Sequence, residues 1–417
     1  MILAIDASRA TEERKTDVGW FCYHLLAHLK DVIPLDQRVI LYSDQPLPDA
    51  LTPWPGHWEE RILRWPPKAP SSLFTLHSSL PRWPMWSQLV LANAVLRDQP
   101  DALFVPAHVI PFGLTLAPRS RRPKLITTIH DVVFKQFPET YTWRERLYAD
   151  HATKLAVRHA DRIIVPTEAV KRDLERWYRC DPEKVAVIHH GVTTPVISAP
   201  KAHPPLAETE HEVEKSPSGL SGDLSAPLRY ARDDEKIILY VGRLEHKKNV
   251  VRMIQSFELL ATRNSQLATF QLVLTGPPGH GYEDVRAAIE RSPVRDRIVT
   301  PGWVDQNEYH RLLSRATAFL FPTLGEGFGL PILEACASGV PVITSRGGAH
   351  EEVAGDAALL VDPLDPRAIV DAIERLLRDG KLHADLVRRG KQRASGLTWQ
   401  RSAQQTWNVL RQHVLSI

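Results

Sequence analysis

The chain has 417 residues, 43% of them apolar and 24% charged, with a net charge of +3. That is ordinary globular material, long enough for two domains, and so small a positive surplus leaves nucleic acid out of the expected partners, since a basic stripe is the useful sign. Only Cys22, Cys180 and Cys336 occur, an odd number with no C-x-x-C pair, which argues against a zinc ribbon and suits a reducing compartment.

The N-terminus, MILAIDASRATEER, is a short apolar strand followed by charges, not a basic region leading into an apolar one, and no stretch approaches the roughly 20 apolar residues of a membrane helix. The expectation is a cytoplasmic protein, with peripheral contact at the inner membrane face left open. Short apolar runs then recur: MILAID, VILYS, ALFVP, KLITTIHD, RIIVP and VAVIHH in the first half, and IILYVG, FQLVLTG, RIVTPG, AFLFP, VPVITS and AALLVD in the second. Between them lie segments such as GWFCYHLLAHLK, RERLYADHATKLAVRHA, NVVRMIQSFELLA and PRAIVDAIERLLRDG, whose apolar residues return every three or four positions. Alternating strands and helices predict an α/β fold of two Rossmann-like parallel-sheet domains. The first covers 1–192 and the second 236–395. Residues 193–235, rich in Pro, Ser, Gly and charge, read as a linker or disordered insertion, and 396–417 as a terminal helix packing back onto the first domain. Ligands of open parallel sheets sit beyond the carboxyl ends of the strands, so the expected site is the cleft between the two sheets.

Residues 318 to 345 read AFLFPTLGEGFGLPILEACASGVPVITS. A buried strand runs into Gly325, Gly327 and Gly329, and Leu330 and Pro331 open a helix. A glycine turn before a helix N-terminus receives phosphate, because its backbone comes close and its N–H groups lack internal partners. Glu326 and Glu334 would repel that phosphate unless each is aimed elsewhere. A carboxylate accepts two O–H donors from a vicinal diol, so a ligand with both phosphates and sugar diols, a nucleotide-sugar, reconciles the two features. After IILYV comes Gly242-Arg243-Leu244-Glu245-His246-Lys247-Lys248-Asn249, which places two cations, Arg243 and Lys248, in a strand-to-helix turn. Cations there oppose the helix dipole unless an anion joins them, and a departing diphosphate is such an anion.

The pair G-R-L-x-x-x-K-N and E-G-F-G-L-P-x-L-E-A-x-A-S-G-x-P-V resembles family 4 of the retaining glycosyltransferases, which have the two-domain GT-B fold. The resemblance covers nearly the whole chain apart from the linker. It implies that Glu334 holds the ribose diol and Glu326 lies by the donor sugar's hydroxyls. Backbone N–H groups at Phe328, Gly329 and Leu330 would meet phosphate or sugar, and Arg243 and Lys248 the diphosphate. Trp303 and Val304 match a loop bordering the base. His130, which alone reads as a structural hydrogen-bonder, gains a role against the donor sugar, with Asp131 orienting it or touching the acceptor. Gly19 matches an early glycine loop that in many members has a further glycine where Asp17 stands. His189-His190-Gly191-Val192 stands where Asn-Gly-Val is usual, and the paired histidine reads as a hinge, not a metal site.

No D-x-D motif ends a strand, and no cofactor or metal is expected. The resemblance implies front-face attack with retention at a hexosyltransferase-type enzyme of polysaccharide biosynthesis. Its partners would be a nucleoside-diphosphate sugar, with mannose the slight preference, and a glycan or lipid-linked acceptor. The alternatives are a GT-B nucleotide-sugar epimerase and a catalytically silent nucleotide-sugar-binding protein. Gly276-Pro-Pro-Gly mimics a phosphate loop but lacks its lysine, and reads as a turn. The tryptophans at 54, 58, 65, 83 and 86 read as loop packing, with sugar stacking as the rival.

Overall fold

The computed structural model describes residues 1–64, 86–193, 236–263 and 269–415. Beyond residue 193 the linker lies outside the described residues, as do Trp65 and Trp83. One sheet contains β1 (Ile2–Asp6), β2 (Arg38–Ser43), β3 (Trp58–Ile62), β4 (Ala102–Val105), β5 (Lys124–Thr128), β6 (Arg162–Val165) and β7 (Val185–Val187), in the order β3-β2-β1-β4-β5-β6-β7. The second contains β8 (Lys236–Val241), β9 (Phe270–Thr275), β10 (Ile298–Gly302), β11 (Ala316–Phe321), β12 (Val342–Ser345) and β13 (Ala358–Val361), in the order β10-β9-β8-β11-β12-β13. Every pairing is parallel. Parallel strands covered on both faces require near-continuous apolar runs, and the buried Ile237, Ile238, Leu239 and Tyr240 of β8 supply one.

Twelve of these strands coincide with the apolar runs of the sequence; β3, WEERI, does not. It is an edge strand in which only Trp58 is buried, while Glu59 pairs with Arg38 at 2.8 Å and Arg61 at 2.6 Å. An edge strand held partly by cross-strand ion pairs has no apolar run to announce it.

The helices that position the site are α1 (Asp17–Val32), α2 (Trp143–His159), α3 (Glu168–Tyr178), α4 (Val250–Arg263), α5 (Gln306–Arg315), α6 (Leu330–Ala337), α7 (Pro366–Arg378), α8 (Gly380–Gly396) and α9 (Trp399–Leu415). Helix α1 starts where Thr16 accepts from the Gly19 N–H, and it buries Phe21, Cys22, Leu25, Leu26 and Leu29, the spacing of one apolar face. A capping box of Thr142 and Glu145 opens α2. Helix α9 follows the last strand but crosses to the first sheet's side: Trp399 stacks on His24 of α1 with ring centroids 5.1 Å apart, and Arg162 donates to His413.

Strand order reverses between β1 and β4 in one sheet and between β8 and β11 in the other. In doubly wound sheets the crevice at that reversal is where ligands bind. The loops after β8 and β11 carry Arg243, Lys248, Glu326 and the glycines, so both motifs arrive at one crevice.

The crossing back to the first half is tight. The Val192 N–H donates to the Leu397 carbonyl at 2.9 Å, and a Cβ on Gly191 would stand 2.0 Å from the Trp399 nitrogen. Gly191→Ala is therefore expected to lower stability by about 1–3 kcal/mol through overpacking. Gly56→Ala, at a position with nothing within 4 Å, should be neutral by the same thermal or urea unfolding measurement.

Candidate active site

Strand β11, buried from Ala318 onward, leads to Thr323, whose carbonyl accepts from the Ser345 hydroxyl at 2.6 Å and whose own hydroxyl pairs with His350 Nε2 at 2.6 Å. The loop then turns through Gly329, at φ +86°, a left-handed conformation that favours glycine, and enters α6 with a proline in its first turn. Turn and helix start together leave the N–H groups around Phe328, Gly329 and Leu330 at the crevice end of the sheet.

The loop after β8 meets it from the neighbouring strand. Lys248 Nζ lies 2.5 Å from Glu326 Oε1, and the two side chains are 7% and 6% exposed. Asn249, left-handed at φ 61°, fixes the turn: its amide donates to the Pro322 carbonyl at 2.8 Å and to the Pro363 carbonyl at 2.7 Å. Burial raises the Glu326 carboxyl, but the Lys248 and Lys247 charges more than offset this, so it titrates below the usual glutamate range. An ammonium has three donors and Glu326 takes one, which leaves Lys248 able to meet an anion while still paired. Arg243, by contrast, is 56% exposed and lies 3.5 Å from Glu245, an extended arm at the mouth of the same turn. The Gly276-Pro-Pro-Gly segment braces this turn: the Leu244 N–H donates to the Pro277 carbonyl at 2.9 Å, and Gly276 lies so near that a Cβ would stand 2.0 Å from the Gly242 carbonyl oxygen.

Glu334 sits one turn into α6. Its Oε2 accepts from the Tyr309 hydroxyl at 2.5 Å. Burial pushes the carboxyl up to about 7, with the Tyr309 bond pulling down and the Asp17 charge pushing further up. Tyr309, on α5, was not singled out in the sequence; it stands among polar helical residues with no local signal of its partner. Trp303 and Val304 lie at the end of β10, just before α5, and the exposed Trp303 ring carries Arg14 at 5.6 Å from its centroid. Arg14 belongs to the loop after β1, so this contact spans the crevice.

The first half closes over these loops. His130 and Asp131 follow β5. Burial holds the His130 imidazole below its usual range, hence neutral, and Nε2 lies 2.8 Å from the Pro106 carbonyl, to which it must donate. The Nδ1 lone pair is then the acceptor. Lys247, the other lysine of the turn, approaches Asp131 at 4.0 Å and stacks over Tyr141 at 5.6 Å. Burial lowers the Lys247 ammonium, yet the Asp131 charge, with Tyr141 and Glu326, holds it well above the ordinary lysine range. Asp131 is likewise kept low despite its burial, chiefly by Lys247. The Thr167 hydroxyl donates to the Gly327 carbonyl at 3.0 Å, and a Cβ on Gly327 would stand 1.7 Å from the His130 carbonyl oxygen, so only glycine permits this approach. At Gly19 the atoms nearest a Cβ belong to Glu12, Arg9 and Lys15. Phe328 turns its ring to the hinge, 4.6 Å from His190. The structure thus gathers Glu326, Lys248, His130, Asp131 and the glycine turn tightly, with Glu334, Trp303 and Val304 along one wall and Arg243 at the rim.

Two halves of the chain match known family models: residues 18–195 match Glycosyltransferase Family 4, and residues 229–393 match Glycosyl transferases group 1. The chain is a family 4 glycosyltransferase. The O-antigen chain mannosyltransferase B of Escherichia coli is 27% identical over 315 residues, 75% of each chain. A D-inositol 3-phosphate glycosyltransferase of Corynebacterium urealyticum is 30% identical over 262 residues, 61% of this chain and 57% of that one, so the match spans little more than half of that relative. Among solved structures, sucrose-phosphate synthase of Thermosynechococcus elongatus superposes with a TM-score of 0.70 at 21% identity, covering 100% of this chain and 99% of the other. Anabaena Alr3699/HepE, in complex with UDP-glucose, superposes with a TM-score of 0.67 at 16% identity, covering 99% of each. At such identity these structures speak for the fold alone, which is GT-B.

Two outcomes follow for this glycosyltransferase. Removing Lys248 alone strands a buried carboxylate, so Lys248→Met is expected to cost about 3–5 kcal/mol of stability by urea unfolding, while the double change Lys248→Met, Glu326→Leu recovers most of it and stays inactive. The family resemblance assigns Glu334 to a ribose diol, and a carboxyl accepts from both hydroxyls only when it is ionised. Affinity for a nucleoside-diphosphate sugar should therefore rise about ten-fold from pH 6 to pH 8 by calorimetry, the midpoint lying near the value of about 7 given by burial. Tyr309→Phe removes the bond that lowers that value and should move the midpoint upward.

Proposed function

We propose that this glycosyltransferase moves one sugar from a nucleoside diphosphate to a glycan or lipid-linked acceptor, with retention and without a metal ion, in polysaccharide synthesis. The observation that carries the reading is the Lys248–Glu326 pair lying beside a glycine turn and helix start at the strand reversal. Glu334 accepts the ribose hydroxyls. Arg243 and Lys248 take up the negative charge on the departing diphosphate, the role that would otherwise ask for a divalent cation. Glu326 binds the sugar's hydroxyls, and neutral His130 accepts another through Nδ1.

In the proposed front-face step the anomeric C–O bond to the β-phosphate breaks as the acceptor oxygen approaches from the same side. The acceptor's proton passes to the departing phosphate oxygen, so the nucleoside diphosphate leaves protonated and no protein base is required. Mannose is the proposed sugar, supported by the likeness to an O-antigen chain mannosyltransferase. Residues 236–395 act as the donor domain and 1–192 as the acceptor domain. Among the described residues no helix is long and apolar enough to cross a membrane, and the proposed placement is the cytoplasm with peripheral contact at the inner membrane face.

A thermal-shift screen against UDP-, GDP- and dTDP-sugars, with and without EDTA, tests this reading. One selective shift that EDTA does not alter, followed by release of nucleoside diphosphate in the presence of acceptor, is the expected result. Loss of the shift in EDTA would contradict metal independence. No shift with any donor from folded protein would favour the silent reading.

A further inference from the structure

Behind the cleft, on the hinge side, lies a cavity of about 490 Å³ that the donor site does not use. Its walls come from both halves: His189 from the end of the first, Arg389 and Arg393 from α8, and Arg401, Ser402 and Gln405 from α9. Three arginines line it against one carboxylate, Asp356. Asp356 and Asp385 engage Arg389 at 3.5 and 2.5 Å, and Arg393 rests on the Val353 and Glu352 carbonyls at 2.9 and 2.5 Å. Arg401 is exposed, with its guanidinium 3.5 Å from the Gly396 carbonyl, at the outer limit of a hydrogen bond.

Helix α9 begins here, which brings the positive end of its dipole beside the cavity, although the Thr398 hydroxyl already accepts from the Arg401 N–H at 3.2 Å. A second observation also points to a ligand. Ser402 is only 1% exposed, and its hydroxyl has no hydrogen-bond partner, a state that buried hydroxyls rarely keep. Cations, a helix start and an unpartnered buried donor converge on one space large enough for more than a single phosphate group.

We propose that this cavity binds a phosphate-bearing anion, either inorganic phosphate or a sugar phosphomonoester. Such a ligand would tie the halves together where they already meet. His189 reaches Glu352 at 3.1 Å, and Glu352 in turn accepts from the Glu168 and Ala169 N–H groups at the start of α3, at 2.8 and 3.0 Å. An anion held between Arg389 and Arg393 of α8 on one side and His189 with α9, which packs on the first half, on the other would bridge the two halves. The anion site itself stands whether or not the cleft is catalytic.

Calorimetric titration of the full chain with inorganic phosphate, and in parallel with glucose 6-phosphate, at constant ionic strength in chloride, tests the proposal. Arg401→Gln should weaken binding by about ten-fold or more, since it removes a charged donor, and Ser402→Ala by less. Arg243→Gln, at the rim of the donor cleft, should leave this affinity unchanged, and the tighter of the two probes identifies the class of anion. Binding that survives Arg401→Gln, that is lost in Arg243→Gln instead, or that does not exceed the chloride control would overturn it. Arg401 is exposed, so its replacement is not expected to unfold the chain, and the unfolding midpoint checks this.

Discussion

The contact between Lys248 and Glu326 is what the rest of the second half is arranged to hold. Two opposite charges at 2.5 Å, each almost wholly buried, are expensive to take from water and cannot be left singly. They can meet only if β8 and β11 are neighbours, although 74 positions separate the end of one strand (Val241) from the start of the next (Ala316), 75 by subtraction less one. The doubly wound strand order makes them neighbours. Asn249 then ties the β8 turn to Pro322, and the left-handed Gly329 turns the β11 loop into α6, so both side chains reach their places from a fixed backbone. A buried ion pair contributes little net stability, and its retention here suits a site that must present an ammonium and a carboxylate to a ligand rather than one built for stability.

Around that pair charges face one another both within the second half and across the cleft. Lys247 faces Asp131, Lys248 faces Glu326, and Asp17 from α1 raises the carboxyl of Glu334. Neighbouring lysines in one turn thus have different tasks, one bridging the halves and the other facing the glycine loop. Closure depends on this pairing and on the contact of Gly327 with the His130 carbonyl, where a side chain of any size would hold the halves apart. The hinge uses a different chemistry. His190 is buried among Phe21, Phe328 and Trp399, and both its ring nitrogens are without hydrogen-bond partners among the described residues. Burial holds that imidazole well below its ordinary pKa, so it behaves as a neutral aromatic in the seam between the halves.

Legibility in the sequence followed burial. Strands covered on both faces are apolar runs, and twelve could be read directly; β3 could not, because its edge position lets glutamates and arginine stand in for apolar residues. The glutamates of the glycine loop and the cations after β8 were visible because glycine, proline and charge together have few other uses at a strand end. Partners contributed by distant segments were not visible. Tyr309 meets Glu334 across 25 positions, and Lys247 meets Asp131 across 116, so neither pairing leaves a local pattern. Lys248 is singled out through the motif G-R-L-x-x-x-K-N, whereas the pairing of Lys247 with Asp131 depends on how the turn is wound by Asn249.

The account's central claim is that the ammonium beside Glu326 is there to receive a diphosphate. The most direct measurement compares affinity for the nucleoside diphosphate with that for the matching monophosphate, in the wild type and in the Lys248→Met, Glu326→Leu protein. The account predicts that the wild type prefers the diphosphate and that the double variant loses most of that preference while still binding the nucleoside through Glu334. An undiminished preference in the folded variant would contradict it and assign the diphosphate to other groups.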